Sequence, residues 1–157
     1  MPLFRDRKNR KSFVDESYER AHPRLRLEES VRFEGNLDAV WERVSSVDDI
    51  PKYWHGTKSL QVLGNGKGDG IRVRTKFAFG GSGEAVVTKD VEQKLVSIDY
   101  TSGPFVGKQT IAVKEGEIAA TWDVTFKGFF RLGSRWNEAH FRAGTKHALR
   151  RLSQPPF

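Results

Sequence analysis

The chain is 157 residues long, 37% of them hydrophobic, and its 27 Lys and Arg against 20 Asp and Glu leave a net charge of +7. That is enough for one domain with a filled or a hollow core, and it leaves no room for a second. With no cysteine and only four histidines (His22, His55, His140, His147), the composition excludes disulfide scaffolds, thiol chemistry and Cys-type zinc sites, and no His pair has the helical spacing of a metalloprotease motif.

Residues 1–24 carry 7 basic and 4 acidic residues, few apolar ones, and close at His22-Pro23. They are predicted to be a basic N-terminal extension, with the folded domain spanning 25–157. The first residues, MPLFRDRKNRKSF, lack the apolar segment of a secretory signal, and no stretch reaches the roughly 20 apolar residues of a membrane span, so a cytoplasmic location is expected.

From Leu25 the pattern changes. Leu25, Leu27, Val31 and Phe33 alternate with Arg26, Glu28, Ser30 and Arg32, the period of a strand with one wet face, and this phase sets Glu29 among the apolar positions. Asn36 can cap a helix LDAVWERVSS, in which Leu37, Val40, Trp41 and Val44 recur at helical spacing, and Asp48-Asp49 before Ile50-Pro51 opens a second short helix. Six strands follow: TKSLQVLG, GIRVRTKFAF, SGEAVVTKDVE, KLVSIDYTSG, VGKQTIAVKEG and EIAATWDVTFKG, with a tight hairpin at Lys114–Glu117. The loop Gly64–Gly70 is glycine-rich but lacks the GxxxxGK[ST] arrangement and precedes a strand, so it is no nucleotide site. RLGSRWNEAHFRAGTKHALRRL, free of proline, is one long C-terminal helix. Residues 131–157 hold 6 basic residues and 1 acidic one, whereas 25–130 are close to neutral with 14 and 15. Basic ends permit weak contact with an anionic surface, but no recognition-helix, ribonucleoprotein or zinc-finger pattern accompanies them, so no specific nucleic-acid partner is expected.

The order β, two short α, six β, long α is that of an α+β protein whose seven-stranded antiparallel sheet curves around a helix. With NLDAVWERVSSVDDIPKYWHGTKSLQVLGNGKGDGIRVR after the first strand, it resembles the START, polyketide-cyclase and birch-pollen-allergen superfamily (SRPBCC) and its helix-grip fold. The likeness runs over roughly residues 25–152 and rests on the VW of the first helix, Pro51 with Tyr53 and Trp54 in the second, and the glycine-rich turn before the third strand. The resemblance implies a deep apolar cavity between sheet and long helix that takes lipids, sterols, quinones, hormones or polyketides. It implies no single activity, because members include carriers and enzymes and share no catalytic motif.

Strand phase proposes the cavity wall. Val73, Thr75, Phe77 and Phe79, then Ile98 and Tyr100, then Trp122 and Val124 share the inward face with Glu29. Among these, Glu29 and Tyr100 are the catalytic candidates: an inward carboxylate among apolar side chains resists ionisation and can exchange a proton with a bound carbonyl compound. On the last helix one stripe holds Phe130, Ser134, Asn137, Glu138, Phe141, Thr145, Ala148, Leu149 and Leu152, polar early and apolar late. It suits a helix whose first half lines a cavity and whose second half fills a core. A second stripe, Leu132, Trp136, Ala139, His140, Ala143 and His147, competes with it. Trp54 and His55 stand where the helix-to-strand loop lies near the cavity entrance in proteins that this one resembles, and Phe105, Phe129 and Phe130 with Trp54 form a candidate apolar gate.

Three functions fit. The leading one is binding or transport of a hydrophobic small molecule, lipid, quinone or polyketide-like, with no cofactor and no metal. The alternatives are a cyclase or dehydratase using the same cavity, with Glu29, Tyr100, Asn137 or Glu138 as acid-base or orienting groups, and a basic interaction module without a ligand.

Overall fold

In the computed structural model, which describes residues 23–128 and 133–154, the elements run β1 (Arg24–Arg32), α1 (Leu37–Ser45), a 3-10 turn (Val47–Asp49), α2 (Ile50–Tyr53), β2 (Thr57–Asn65), β3 (Ile71–Phe77), β4 (Ser82–Asp90), β5 (Leu95–Tyr100), β6 (Phe105–Lys114), β7 (Glu117–Phe126) and α3 (Ser134–Ser153). The strands form a single antiparallel sheet in the order β1-β7-β6-β5-β4-β3-β2. It is a meander from β2 to β7, closed by β1, which pairs with β7 from Arg24 opposite Thr125 to Arg32 opposite Glu117. This is the helix-grip architecture expected from the alternation. The domain starts one residue earlier than the composition suggests: Arg24 already belongs to the β1 ladder, and its guanidinium grips Asp123 with two hydrogen bonds of 2.6 and 2.7 Å. That pairing holds the Asp123 carboxyl below the usual carboxylate range. Residues 1–22 of the predicted 1–24 extension lie outside the described residues.

Local chemistry explains the short helices. The Asn36 side-chain oxygen accepts from the backbone N–H of Asp38 and Ala39, and Val40, Trp41 and Val44 then bury one face of α1. Pro51 stiffens the first turn of α2. Tyr53 is fully buried and donates its hydroxyl to the Val44 carbonyl at 3.3 Å, while Arg151 donates to the Tyr53 carbonyl at 3.1 Å and ties α2 to α3.

The core is not spread evenly along α3. Ala148, Leu149 and Leu152 are fully buried, whereas Phe141 is half-buried and Trp136 is 60% exposed. The helix packs chiefly against β1 and β7, with α1 and α2 beside it, and Asn137 near its start is buried as well. Val73, Ile98 and Val124 belong to the filled core.

One glycine is required by geometry. Gly107, in β6 between Tyr100 of β5 and Val124 of β7, has φ 133°, and a Cβ there would collide with the Asp123 carbonyl oxygen and lie 2.8 Å from Val124 Cα. Gly107→Ala is expected to destabilise the protein by roughly 2–3 kcal/mol, read as a fall in the urea midpoint; an unchanged midpoint would show that β6 relaxes there without cost.

Candidate functional site

Between the sheet and α3 the structure holds a cavity of about 380 Å³, within the range of small-molecule sites. Its inner wall is aromatic. Trp122 lies at the centre, with Phe141 edge-on at 4.9 Å, Trp54 edge-on at 5.5 Å and Tyr100 stacked at 6.0 Å. Phe105 closes against Tyr100 at 4.8 Å and against Phe77 at 5.1 Å, and Phe77 stacks on Phe79. The rim is exposed and more polar: His55 and Gly56 after α2, Ala78 after β3, and His140, Ala143, Gly144 and His147 on α3.

Of the proposed wall residues, the fold brings Trp54, Phe77, Phe79, Tyr100, Trp122 and Phe141 to this cavity. It does not bring the others. Thr75 is buried away from it and donates its hydroxyl to the Gly83 carbonyl at 3.2 Å, while Val73, Ile98 and Val124 sit in the core. Asn137 is buried beside a separate gap of only about 10 Å³, no larger than one water. Glu138 is exposed and faces Arg142 at 3.4 Å. Phe130 and the Ser134 side chain lie outside the described residues, and so does Phe129, leaving the proposed gate represented by Phe105 and Trp54.

The catalytic candidates need correction. Glu29 does not line the cavity: it lies on the edge strand β1, and its carboxylate accepts from Arg142 of α3 at 2.6 Å. The alternation placed it on the inward face correctly, but an edge strand leaves its side chain within reach of a helix cation. Arg142, bonded to Glu29 and Glu138, has its pKa raised further. Tyr100 does line the cavity, yet burial pushes its hydroxyl pKa well above the ordinary value, so it stays a neutral donor. It donates to Gln109 Oε1 at 2.9 Å.

Several wall groups carry signals that the inward phase of β3, β5 and β7 does not reach. Gln109 is fully buried in β6, in step with Ile111 and Val113. Thr145 accepts from Trp122 Nε1 at 3.0 Å and donates to the Phe141 carbonyl at 2.6 Å. Arg151 reaches the cavity from the far end of α3. The inner wall holds no charged side chain among the described residues; the ionisable groups His55, His140, His147 and Arg151 stand at the rim or are only partly covered. No group of three His, Asp or Glu side chains among the described residues is placed to hold a metal ion.

Residues 24–154 match the family model described as polyketide cyclase / dehydrase and lipid transport. The chain belongs to that family. Solved structures share its fold. The Zhui aromatase/cyclase from Streptomyces sp. R1128 superposes with a TM-score of 0.62 at 14% identity, covering 82% of this chain and 91% of that one. A START superfamily protein from Mycobacterium smegmatis gives 0.62 at 12% identity, with 86% and 99% covered. Norcoclaurine synthase from Thalictrum flavum, solved with dopamine and hydroxybenzaldehyde, gives 0.57 at 15% identity, with 83% and 87% covered. At these identities the likeness is one of fold. Comparison with curated protein sequences finds no match. No helix among the described residues is long and apolar enough to cross a membrane.

Proposed function

We propose that this family member binds a hydrophobic small molecule, of lipid, quinone or polyketide type, in the cavity between the sheet and α3. The observation that carries the reading is a volume of about 380 Å³ left open behind an aromatic wall in a chain with large side chains enough to fill it. Packed interiors rarely leave such voids, and an apolar occupant removes that wall from water. The family description, which names lipid transport, points the same way.

A second reading, turnover of the bound molecule, is favoured by one observation: His140 and His147, two turns apart on α3, both line the rim, and imidazole is a common general acid or base. Glu29, away from the cavity, takes no part in it.

Native mass spectrometry of the protein as purified tests both readings. A mass excess of one apolar molecule per chain, identified after denaturing extraction, is the expected result, and a passenger that changes chemically on re-incubation with the protein selects the enzyme. A clean apo mass, joined to indifference toward a library of fatty acids, quinones and polycyclic aromatics, would overturn the binding reading.

A further inference from the structure

Among the described residues, two buried side-chain nitrogens have no hydrogen-bond partner: Gln109 Nε2 and Trp54 Nε1. Both residues line the same cavity. Gln109 is fully buried and Trp54 is 6% exposed, so neither donor is served by bulk water. A buried donor left unpaired carries a desolvation penalty that any acceptor reaching it relieves.

The neighbouring groups determine what kind of acceptor that is. Tyr100 already occupies Gln109 Oε1, and burial keeps that hydroxyl protonated, so the amide presents its NH2 end. The wall's other indole donor, Trp122 Nε1, is taken by Thr145, whose own proton goes to the Phe141 carbonyl. The inner wall therefore has donors to spare. A hydroxyl placed there must also lodge its proton, where Gln109 Oε1 and Thr145 Oγ1 each already accept one hydrogen bond. A carboxylate placed there gives up its hydration where the inner wall supplies no cation, since the cationic groups belong to the rim.

We propose that Gln109 and Trp54 form an acceptor-selective subsite, which receives carbonyl-type oxygen on an otherwise apolar ligand, as in a ketone or quinone. The inference rests on the reading that the cavity binds an apolar molecule, and adds which polar group the molecule carries at its buried end. Trp54 is positioned by α2, its backbone N–H donating to the Ile50 carbonyl at 2.9 Å, and Gln109 by the β6 ladder against Trp122.

Equilibrium dialysis with three probes of one size tests it: menadione, methylnaphthalene and methylnaphthol. The chain has no cysteine, so the quinone is not consumed by thiols. Menadione is expected to bind about tenfold tighter than methylnaphthalene, the span of one or two neutral hydrogen bonds, and tighter than the naphthol. Gln109→Leu and Trp54→Phe are each expected to lower menadione affinity more than methylnaphthalene affinity, and so to shrink that preference. Because Gln109→Leu strands the Tyr100 hydroxyl, the double variant Tyr100→Phe/Gln109→Leu serves if the single one folds poorly. In the wild type, the carbonyl stretch of bound menadione should fall below its value in dry hydrocarbon solvent. Equal affinity for quinone and hydrocarbon, tighter binding of the naphthol, or a preference that survives both variants would overturn the subsite while the binding function stands. Binding of none of the three would overturn both.

Discussion

Trp122→Ala is expected to lower the unfolding free energy by about 3–5 kcal/mol, and so to lower Tm by on the order of 10 °C for a domain of this size. The size of the effect follows from position. Trp122 is 7% exposed and its ring touches those of Trp54, Tyr100, Phe105 and Phe141. Truncation removes these contacts at once, and the wall already adjoins a void, so collapse cannot refill the gap from that side. Trp122→Phe is the control. It keeps an aromatic ring and leaves Thr145 still donating to the Phe141 carbonyl, so less than half of the loss is expected. Urea denaturation at unchanged m value measures both; a Trp122→Ala variant within about 1 kcal/mol of the wild type would mean that the aromatic cluster is not a stabilising unit. An apolar ligand should recover more stability in the alanine variant than in the wild type, because it fills a larger dry space.

Alternation of apolar and polar residues was sufficient for the sheet, because each strand has one wet face, and a slip of one residue would turn Leu25, Leu27, Val73, Ile98 and Val124 outward together. The site was less legible, for a reason that Val73, Ile98 and Val124 illustrate. Phase tells which face a residue takes and nothing of where along the strand the core gives way to open space. Phe77, Tyr100 and Trp122 lie on the same face as those three residues, yet only they reach the cavity. The helix shows the same limit. Of its two stripes, the one with Thr145, Ala148, Leu149 and Leu152 is buried, while the cavity faces the arc between them, from His140 and Phe141 through Gly144 to His147 and Arg151. Gly144 and Arg151 belong to neither stripe, and a glycine carries no hydropathy signal at all. Gln109 did carry one: a polar residue in step with Ile111 and Val113, the same mark that singled out Thr75 and Tyr100.

Gly144 provides the sharpest control over occupancy. It sits three or four residues from His140, Phe141 and His147, all of which line the cavity, so a side chain added there is carried on the cavity face of α3. A Cβ built on it meets nothing within 4 Å. Gly144→Phe therefore introduces a large apolar group into open space at the mouth, and replacing a mid-helix glycine also removes a cost of roughly 0.5–1 kcal/mol. The variant is expected to melt no lower than the wild type without ligand and to lose the response to ligand. For the wild type, an apolar ligand at about 100 times its Kd contributes about 2.7 kcal/mol by mass action, a rise of roughly 5–10 °C in Tm for this chain length; for Gly144→Phe that rise should vanish. Gly144→Ala separates the two effects, keeping the gain in helix stability and the ligand response, since a methyl group does not span the opening. Calorimetry of the three proteins with and without menadione measures all of this. A full ligand shift in Gly144→Phe would place the bound molecule somewhere other than beneath α3, and an intact shift in the alanine variant with none in the phenylalanine variant locates entry at this turn of the helix.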